Sequence, residues 1–340
     1  MQQNYIKKCI ELAKQAEGMT SPNPLVGCVV TDEFDNIIST GYHQRYGENH
    51  AERNALENIK KGEGDTLYVN LEPCSHHGKT PPCTDIIIEK GIKNVIIGML
   101  DPNPKVSGIQ ILKDAGIHVT TGVLEEECKK LNEIFIKNIE QKKTFVAIKT
   151  ATTLDGKIAT STGSSKWITS EDARKEVRNI RNRYDAIMTS SSTVNADNPT
   201  MTHRKKIILD RKLKTNPKAN VYQDGEIYVF NGIKDEENGN VHYIKTPCLD
   251  GKISLEFVFE KLFELGIMSV LIESGGKLNG RALKYADKIY HFIAPKITGD
   301  NNSKSCFNYR EIVDISECKN FKIDSVEFFL PDILLTYYPI

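Results

Sequence analysis

The chain has 340 residues and is electrically balanced, with 45 Lys plus Arg against 45 Asp plus Glu. Hydrophobic residues make up 39% and charged residues 26%, which excludes global disorder and suffices for two cores of ordinary size. The balance lacks the basic excess of a nucleic-acid binder. No apolar run reaches the ~18 residues of a membrane span, and Met1-Gln2-Gln3-Asn4-Tyr5 has no signal-peptide core. A cytoplasmic chain acting on a small molecule is expected. Of the eight cysteines, most read as small buried hydrophobes, because cytosolic thiols stay reduced.

In chain order, Tyr5–Ala16 reads as an amphipathic helix, broken by Ser21-Pro22-Asn23-Pro24. Strands at Val26–Thr31 and Ile37–Tyr42 form a hairpin across Asp35-Asn36. A helix follows over Ala51–Lys60, a strand over Thr66–Asn70, a helix over Thr84–Lys90 and a strand over Asn94–Gly98. Helix Ile109–Ala115 and the short strand Ile117–Thr120 come next. Glu125–Lys143 is a charged helical stretch leading out of this unit, so the domain boundary falls at 143. The second half alternates again, with strands at Thr144–Lys149, Ala186–Thr189, Lys206–Asp210 and Glu226–Phe230. Helix Leu255–Leu265, strand Ser269–Glu273, helix Leu278–Tyr285 and strand Lys288–Ala294 complete it. Residues 231–251 read as loop or sheet edge. Strands alternating with helices imply an α/β layer structure in both halves.

The chemistry concentrates in His50-Ala51-Glu52, Glu72-Pro73-Cys74 and Pro82-Cys83. One imidazole and two thiolates are a catalytic zinc set, leaving a fourth position for water, whose pKa the metal lowers to about 7. Glu52, two residues from His50, suits a carboxylate that moves protons without touching the metal. Cys83, just before a helix, has its thiolate favoured by that helix end. The general deaminase pattern spaces its cysteines as C-x-x-C; here eight residues separate Cys74 from Cys83. A closed structural zinc with His76 or His77 as fourth ligand is the competing reading. Alternatively His76 and His77, with Lys79 and Thr80, form a cationic loop for a substrate phosphate.

The run from Leu71 to Cys83 resembles the deaminase part of the bifunctional riboflavin-biosynthesis deaminase/reductase family, in which the longer loop between the cysteines is normal. Asn23-Pro24-Leu25-Val26-Gly27-Cys28-Val29-Val30, His50-Ala51-Glu52 and Asp101-Pro102-Asn103-Pro104 support the resemblance. It implies a three-layer, cytidine-deaminase-like domain over residues 1–143, with zinc on His50, Cys74 and Cys83 and Glu52 as proton shuttle. The implied substrate is 2,5-diamino-6-ribosylamino-4(3H)-pyrimidinone 5′-phosphate, with Asn23 against the ring.

Residues 144–340 resemble the same family's dihydrofolate-reductase-like domain, through Lys149–Ala159, Ser164–Thr169, Ser191–Pro199 and Ile272–Gly280. The likeness fades across 231–251 and beyond 300. It implies NADPH-dependent reduction of the ribosyl chain. By family position Ala151, Trp167, Thr193, Asp197 and the loop Gly275, Gly276, Lys277, Leu278, Asn279, Gly280 and Arg281 meet NADPH. Ser165, Arg181, Met201, Arg204 and Glu273 meet the substrate, and Lys149 could polarise the opened sugar. Physically, Ser274-Gly275-Gly276 before a helix offers backbone N–H groups to a phosphate. Arg181 and Arg204 can grip a sugar phosphate, though either alone also reads as a solvated charge. A lone Trp is usually core, and Glu273 ends an apolar strand where a carboxylate needs a polar reason to sit. The resemblance also implies a homo-oligomer. The competing functions are a nucleoside or tRNA deaminase with an unrelated C-terminal domain, and a non-enzymatic zinc protein.

Overall fold

The computed structural model describes residues 2–76, 81–308 and 310–340. It divides into two compact units, Met1–Lys142 and Lys143–Ile340.

The first unit runs α1 (Gln2–Lys14), β1 (Gly27–Thr31), β2 (Ile37–Tyr42), α2 (Ala51–Leu56), β3 (Thr66–Leu71), α3 (Cys83–Lys90), β4 (Asn94–Met99), α4 (Gly108–Asp114), β5 (His118–Thr120), α5 (Glu125–Leu131) and α6 (Glu133–Gln141). Its five strands lie in the order β2-β1-β3-β4-β5. The β1–β2 and β1–β3 pairs are antiparallel, and β3, β4 and β5 run parallel. β1, β3 and most of β4 are buried, so they read as continuous apolar runs rather than alternations. Helices supply the covering layers, with Ile6 and Cys9 of α1, Ala51 and Ala55 of α2 and Ile87 of α3 in one cluster with the strands.

The helix expected over 51–60 ends at Leu56. The charged stretch 125–143 breaks into two helices at Asn132, and it does not lead out of the unit. Cys128 is fully buried in the first core. The Asn132 side chain accepts from Leu25 N at 2.8 Å and donates to Leu25 O at 3.0 Å. The surface charges hid this inward face.

The second unit runs β6 (Phe145–Thr153), β7 (Lys157–Ala159), α7 (Glu171–Asn182), β8 (Ala186–Ser190), α8 (Ser191–Asp197), β9 (Lys205–Leu209), β10 (Glu226–Asn231), β11 (Glu236–Asn238), β12 (Val241–Lys245), β13 (Cys248–Leu249), β14 (Lys252–Ile253), α9 (Leu255–Glu264), β15 (Ser269–Ile272), α10 (Gly276–Ala282), β16 (Lys288–Ala294), β17 (Lys304–Ser305), β18 (Phe321–Phe329) and β19 (Asp332–Pro339). Ten strands form one sheet, β11-β12-β10-β9-β8-β15-β6-β16-β19-β18. Its seven central members, β12 through β16, run parallel, and β11, β19 and β18 add antiparallel edges. Residues 231–251 thus supply the edge strands of one side. Buried residues of β6, β8, β9, β10 and β15 share a core with α9 and α10.

Candidate functional site: a metal cluster and an ionic triad

In the first unit the loop after β3 meets the amino ends of α2 and α3. His50 caps α2 in extended conformation. Gly41 lets that helix settle on β2, since a Cβ there would lie 2.4 Å from Ala51 O and 2.5 Å from Ala55 N. Cys83 is the first residue of α3 rather than the residue before it. The Cys83 and Thr84 N–H groups donate to Cys74 O at 3.1 and 3.3 Å, and the Cys83 N–H also reaches Cys74 Sγ at 3.3 Å. A helix start leaves such N–H groups without intrahelical partners, so α3 both carries Cys83 and fixes Cys74.

His50 Nδ1 lies 3.4 Å from each sulfur, and all three donor atoms fall within 4.8 Å of one another. Tetrahedral zinc, at about 2.3 Å from sulfur and about 2.0 Å from nitrogen, holds those donors about 3.5 Å apart. The donor set and spacing therefore fit zinc. A hydrogen bond from Cys83, joined by His50, pushes the Cys74 thiol well down despite burial, toward the thiolate that metals bind. Among the described residues His76 is not part of this cluster. His77, Lys79 and Thr80 lie outside the described residues.

Glu52 sits in the first turn of α2, only 3% exposed. Burial, and then the charge of Cys74, pushes its carboxyl up to about 7. A cavity of about 320 Å³ opens over the cluster, and Asn23, His43, His76, Asp101 and Phe135 help line it. Asn23 Nδ2 lies 3.1 Å from His43 Nε2, while His43 Nδ1 faces Asn49 O at 3.0 Å. A carbonyl only accepts, so Nδ1 carries the proton and Nε2 accepts from Asn23. Sequence reading missed His43 and Phe135, and quoted Asp101 only as part of a motif. Phe135 had a signal, since it and Ile139 stand four apart on α6 and both line the cavity. Glu72 was quoted only as part of the motif. Its Oε2 accepts from Asp101 N at 3.3 Å and its Oε1 from Ile109 N at 3.1 Å.

In the second unit β6 and β15 pair so that Ile148 stands opposite Ile272, which brings the next residues, Lys149 and Glu273, side by side. Lys149 Nζ lies 2.9 Å from Glu273 Oε2. Arg181, from α7, donates to the same carboxylate twice, Nε to Oε1 at 2.6 Å and Nη2 to Oε2 at 2.9 Å. Burial alone would raise the Glu273 pKa; Lys149, and then Arg181, hold it at about 2. These two cations are the polar reason for a carboxylate at the end of an apolar strand.

The other reductase-half residues are dispersed. Ser190, Thr193 and Ser274 bring their hydroxyls within 3.0–3.3 Å of one another, beyond the carboxyl ends of β8 and β15, where open parallel sheets hold ligands. A Cβ on Gly275 would meet nothing within 4 Å, whereas one on Gly276 would lie 2.2 Å from Ser305 O. Gly276 therefore accommodates its own chain, and Gly275 leaves the open approach. This open turn beside three hydroxyls fits a phosphate-bearing dinucleotide. Leu278 and Gly280 are buried, and Asn279 Nδ2 donates to Cys306 O at 3.2 Å. Arg281 donates to Ile253 O, and Lys277 is exposed. Ala151 and Ser165 are half-buried and Asp197 is exposed. Trp167 is 63% exposed, with the Arg174 guanidinium 4.4 Å from its ring centre, so it is not a core residue. Met201 is buried with φ 48 in a small apolar cluster. Arg204, exposed, precedes the amino end of β9, the opposite end of the parallel strands from Glu273.

Residues 1–99 match the family model for the cytidine and deoxycytidylate deaminase zinc-binding region, and residues 144–335 match that for the RibD C-terminal domain. The second match excludes an unrelated C-terminal domain. The riboflavin biosynthesis protein RibD of Actinobacillus pleuropneumoniae is 40% identical, covering 98% of this chain and 94% of its own. RibD of Aquifex aeolicus is 41% identical over 95% of each. A Thermotoga maritima crystal structure, a diaminohydroxyphosphoribosylaminopyrimidine deaminase/5-amino-6-(5-phosphoribosylamino)uracil reductase, superposes with a TM-score of 0.91 at 40% identity, covering 100% of this chain and 99% of that one. The chain belongs to the RibD family of bifunctional riboflavin-biosynthesis enzymes, with a zinc-binding deaminase domain of cytidine-deaminase type followed by an NADPH-using reductase domain.

Proposed function

We propose that residues 1–143 hydrolytically deaminate 2,5-diamino-6-ribosylamino-4(3H)-pyrimidinone 5′-phosphate. Residues 144–340 then reduce the ribosyl chain of the product with NADPH, giving 5-amino-6-(5-phosphoribitylamino)uracil. The observation that carries the reading is the convergence of His50, Cys74 and Cys83 beside the buried carboxyl of Glu52, at the floor of a cavity sized for one heterocycle.

His50, Cys74 and Cys83 would hold zinc, which supplies Lewis acidity toward water. Glu52 takes a proton from the attacking water and returns it to the departing amine, a role suited to a buried carboxyl that does not itself bind the metal. Asn23, its amide oriented by His43, faces the ring, and His76, Lys79 and Thr80 meet the phosphate. In the reductase, Ala151, Trp167, Thr193, Asp197 and residues 275–281 hold NADPH, while Ser165, Met201 and Arg204 hold the substrate. Lys149 polarises the opened sugar, with Glu273 as its counter-ion.

A homo-oligomer working in the cytoplasm completes the proposal. The exposed Ile323, Val326 and Phe328 on the outer strand β18 support self-association. A mass-spectrometric time course with the diaminopyrimidine, with and without NADPH, tests both reactions and their order. Loss of one amine nitrogen without NADPH, followed by a two-hydrogen gain only with it, is expected. An unchanged substrate in both arms overturns the reading.

A further inference from the structure

We propose that Asn132 is a positioning residue for the deamination, tying the loop that carries Asn23 to the helix that carries Phe135. The inference rests on the proposed deaminase reading, in which Asn23 faces the pyrimidine ring.

Asn132 stands at the joint of α5 and α6 and is 2% exposed. Its backbone belongs to both helices, since its N–H donates to Cys128 O at 3.2 Å and its carbonyl accepts from Ile136 N at 2.9 Å. Its side-chain amide reaches a different segment. Oδ1 accepts from Leu25 N at 2.8 Å and Nδ2 donates to Leu25 O at 3.0 Å. An amide that meets one residue's backbone as both donor and acceptor sets orientation as well as distance. Leu25 lies two residues before β1, ahead of the strand pairing. Asn70, fully buried on β3, secures the sheet side, accepting from Gly27 N at 2.7 Å and donating to Leu25 O at 2.9 Å. Asn132 adds the tie to α6.

Asn23 depends on this anchor. Its N–H donates to Thr20 O at 2.8 Å and its carbonyl accepts from Thr20 Oγ1 at 3.1 Å, bonds that close a turn over residues 20–23 without tying it to the helices. Asn23 and Pro24 line the cavity over the metal cluster, and so do Phe135 and Ile139 of α6. The Asn132–Leu25 contact thus sets the spacing between two walls of one cavity. Without it the Leu25 N–H loses its acceptor, and the segment shifts to find another. A displacement of about 1 Å in a group that orients a substrate can cost about 10²-fold in rate. His50, Cys74 and Cys83 are held by α2, α3 and the loop after β3, so the metal site should survive the change.

The test is steady-state deamination of the diaminopyrimidine phosphate by the full-length protein, normalised to bound zinc. The proteins compared are wild type, Asn132→Leu, Asn132→Asp, Asn23→Ala and the Asn23→Ala/Asn132→Leu pair. Asn132→Leu should keep its zinc and its NADPH-dependent reduction of the deaminated substrate, while kcat/KM for deamination falls at least about tenfold. Asn132→Asp, which keeps an acceptor for the Leu25 N–H, should recover part of the loss. The double variant should be no slower than Asn23→Ala alone, because the clamp acts by placing Asn23. Wild-type kcat/KM in zinc-loaded Asn132→Leu would overturn the proposal, as would loss of its zinc or additive losses in the double variant. If Asn132→Leu melts below the assay temperature, Asn132→Asp, alone and combined with Asn23→Ala, carries the same comparison. Absence of deamination by the wild type itself would instead overturn the deaminase reading.

Discussion

The backbone N–H of Cys83 points at the sulfur of Cys74 from 3.3 Å, so one metal-binding residue holds the other in place before any ion arrives. Preorganisation of this kind makes the serine variant of Cys74 a clean probe. An oxygen can accept the same N–H yet is a far poorer zinc ligand in a sulfur-rich set. Cys74→Ser should lose bound zinc and deamination while NADPH-dependent reduction continues. Elemental analysis with the two separate assays checks this, and joint loss of both activities in a folded protein would contradict independent sites.

Glu52 should be separable from metal binding. Glu52→Gln keeps the shape of the buried side chain but cannot shuttle a proton, so zinc content should stay unchanged while deamination falls by about 10²–10⁴. Substantial turnover in a zinc-loaded Glu52→Gln protein would remove the carboxyl from the mechanism.

His291 gives the reductase unit an acid-side weakness. Its Nε2 lies 2.8 Å from Thr152 Oγ1 and its Nδ1 3.3 Å from Tyr337 OH, and burial pushes its pKa down to about 4. An unfolded histidine titrates near 6.5, so between about 6.5 and 4 the unfolded chain binds more protons than the folded one. Stability from this residue is complete above about pH 6.5 and is lost as the pH falls toward 4, by up to roughly 3 kcal/mol. Denaturant melts should show a shallower acid-side slope in His291→Gln than in wild type; identical slopes would discount the effect.

The two adjacent glycines of the β15–α10 turn should respond oppositely to a methyl group. Gly276→Ala drives a Cβ to 2.2 Å from Ser305 O, and such overpacking costs about 1–3 kcal/mol. Gly275→Ala meets nothing within 4 Å and Gly275 has an ordinary φ of −76, so its stability should be unchanged while NADPH affinity drops. Thermal melts and NADPH titrations of both variants decide. Equal melting temperatures would mean that the 304–306 segment moves aside at no cost.

A fragment beginning at Lys143 should remain folded and bind NADPH, because Lys143–Ile340 forms a compact unit of its own. Titration of the fragment with NADPH, followed by fluorescence of Trp167, checks this.

The cluster of His50, Cys74 and Cys83 was legible because one imidazole and two thiols are a zinc-type donor set, although the eight residues between the cysteines depart from the general deaminase spacing and became a positive sign only through the family resemblance. The triad of the second unit was only half legible. Lys149 and Glu273 each stood out as polar on apolar strands, but the register that joins them, and the reach of Arg181 from 92 residues away, are properties of the folded sheet. Helix α7 went unread although it carried the signals, with Ser170 capping it and Ala173, Val177 and Ile180 buried at helical spacing. Its dense charges masked the stripe. β18 was hidden for another reason. It is mostly exposed, and a bulge between Ile323 and Ser325 breaks the alternation that marks a strand.

Glu72 joins the cysteine loop to two backbone positions beyond the next strand, Asp101 and Ile109. The stretch Leu71–Cys83 is therefore not a portable cassette. Grafted into another deaminase scaffold by itself, it would arrive with its supporting carboxylate facing foreign backbone, and its sulfurs would lose their aim. A transplant that aims to carry the metal geometry must take residues 100–109 along as a second, non-contiguous insert.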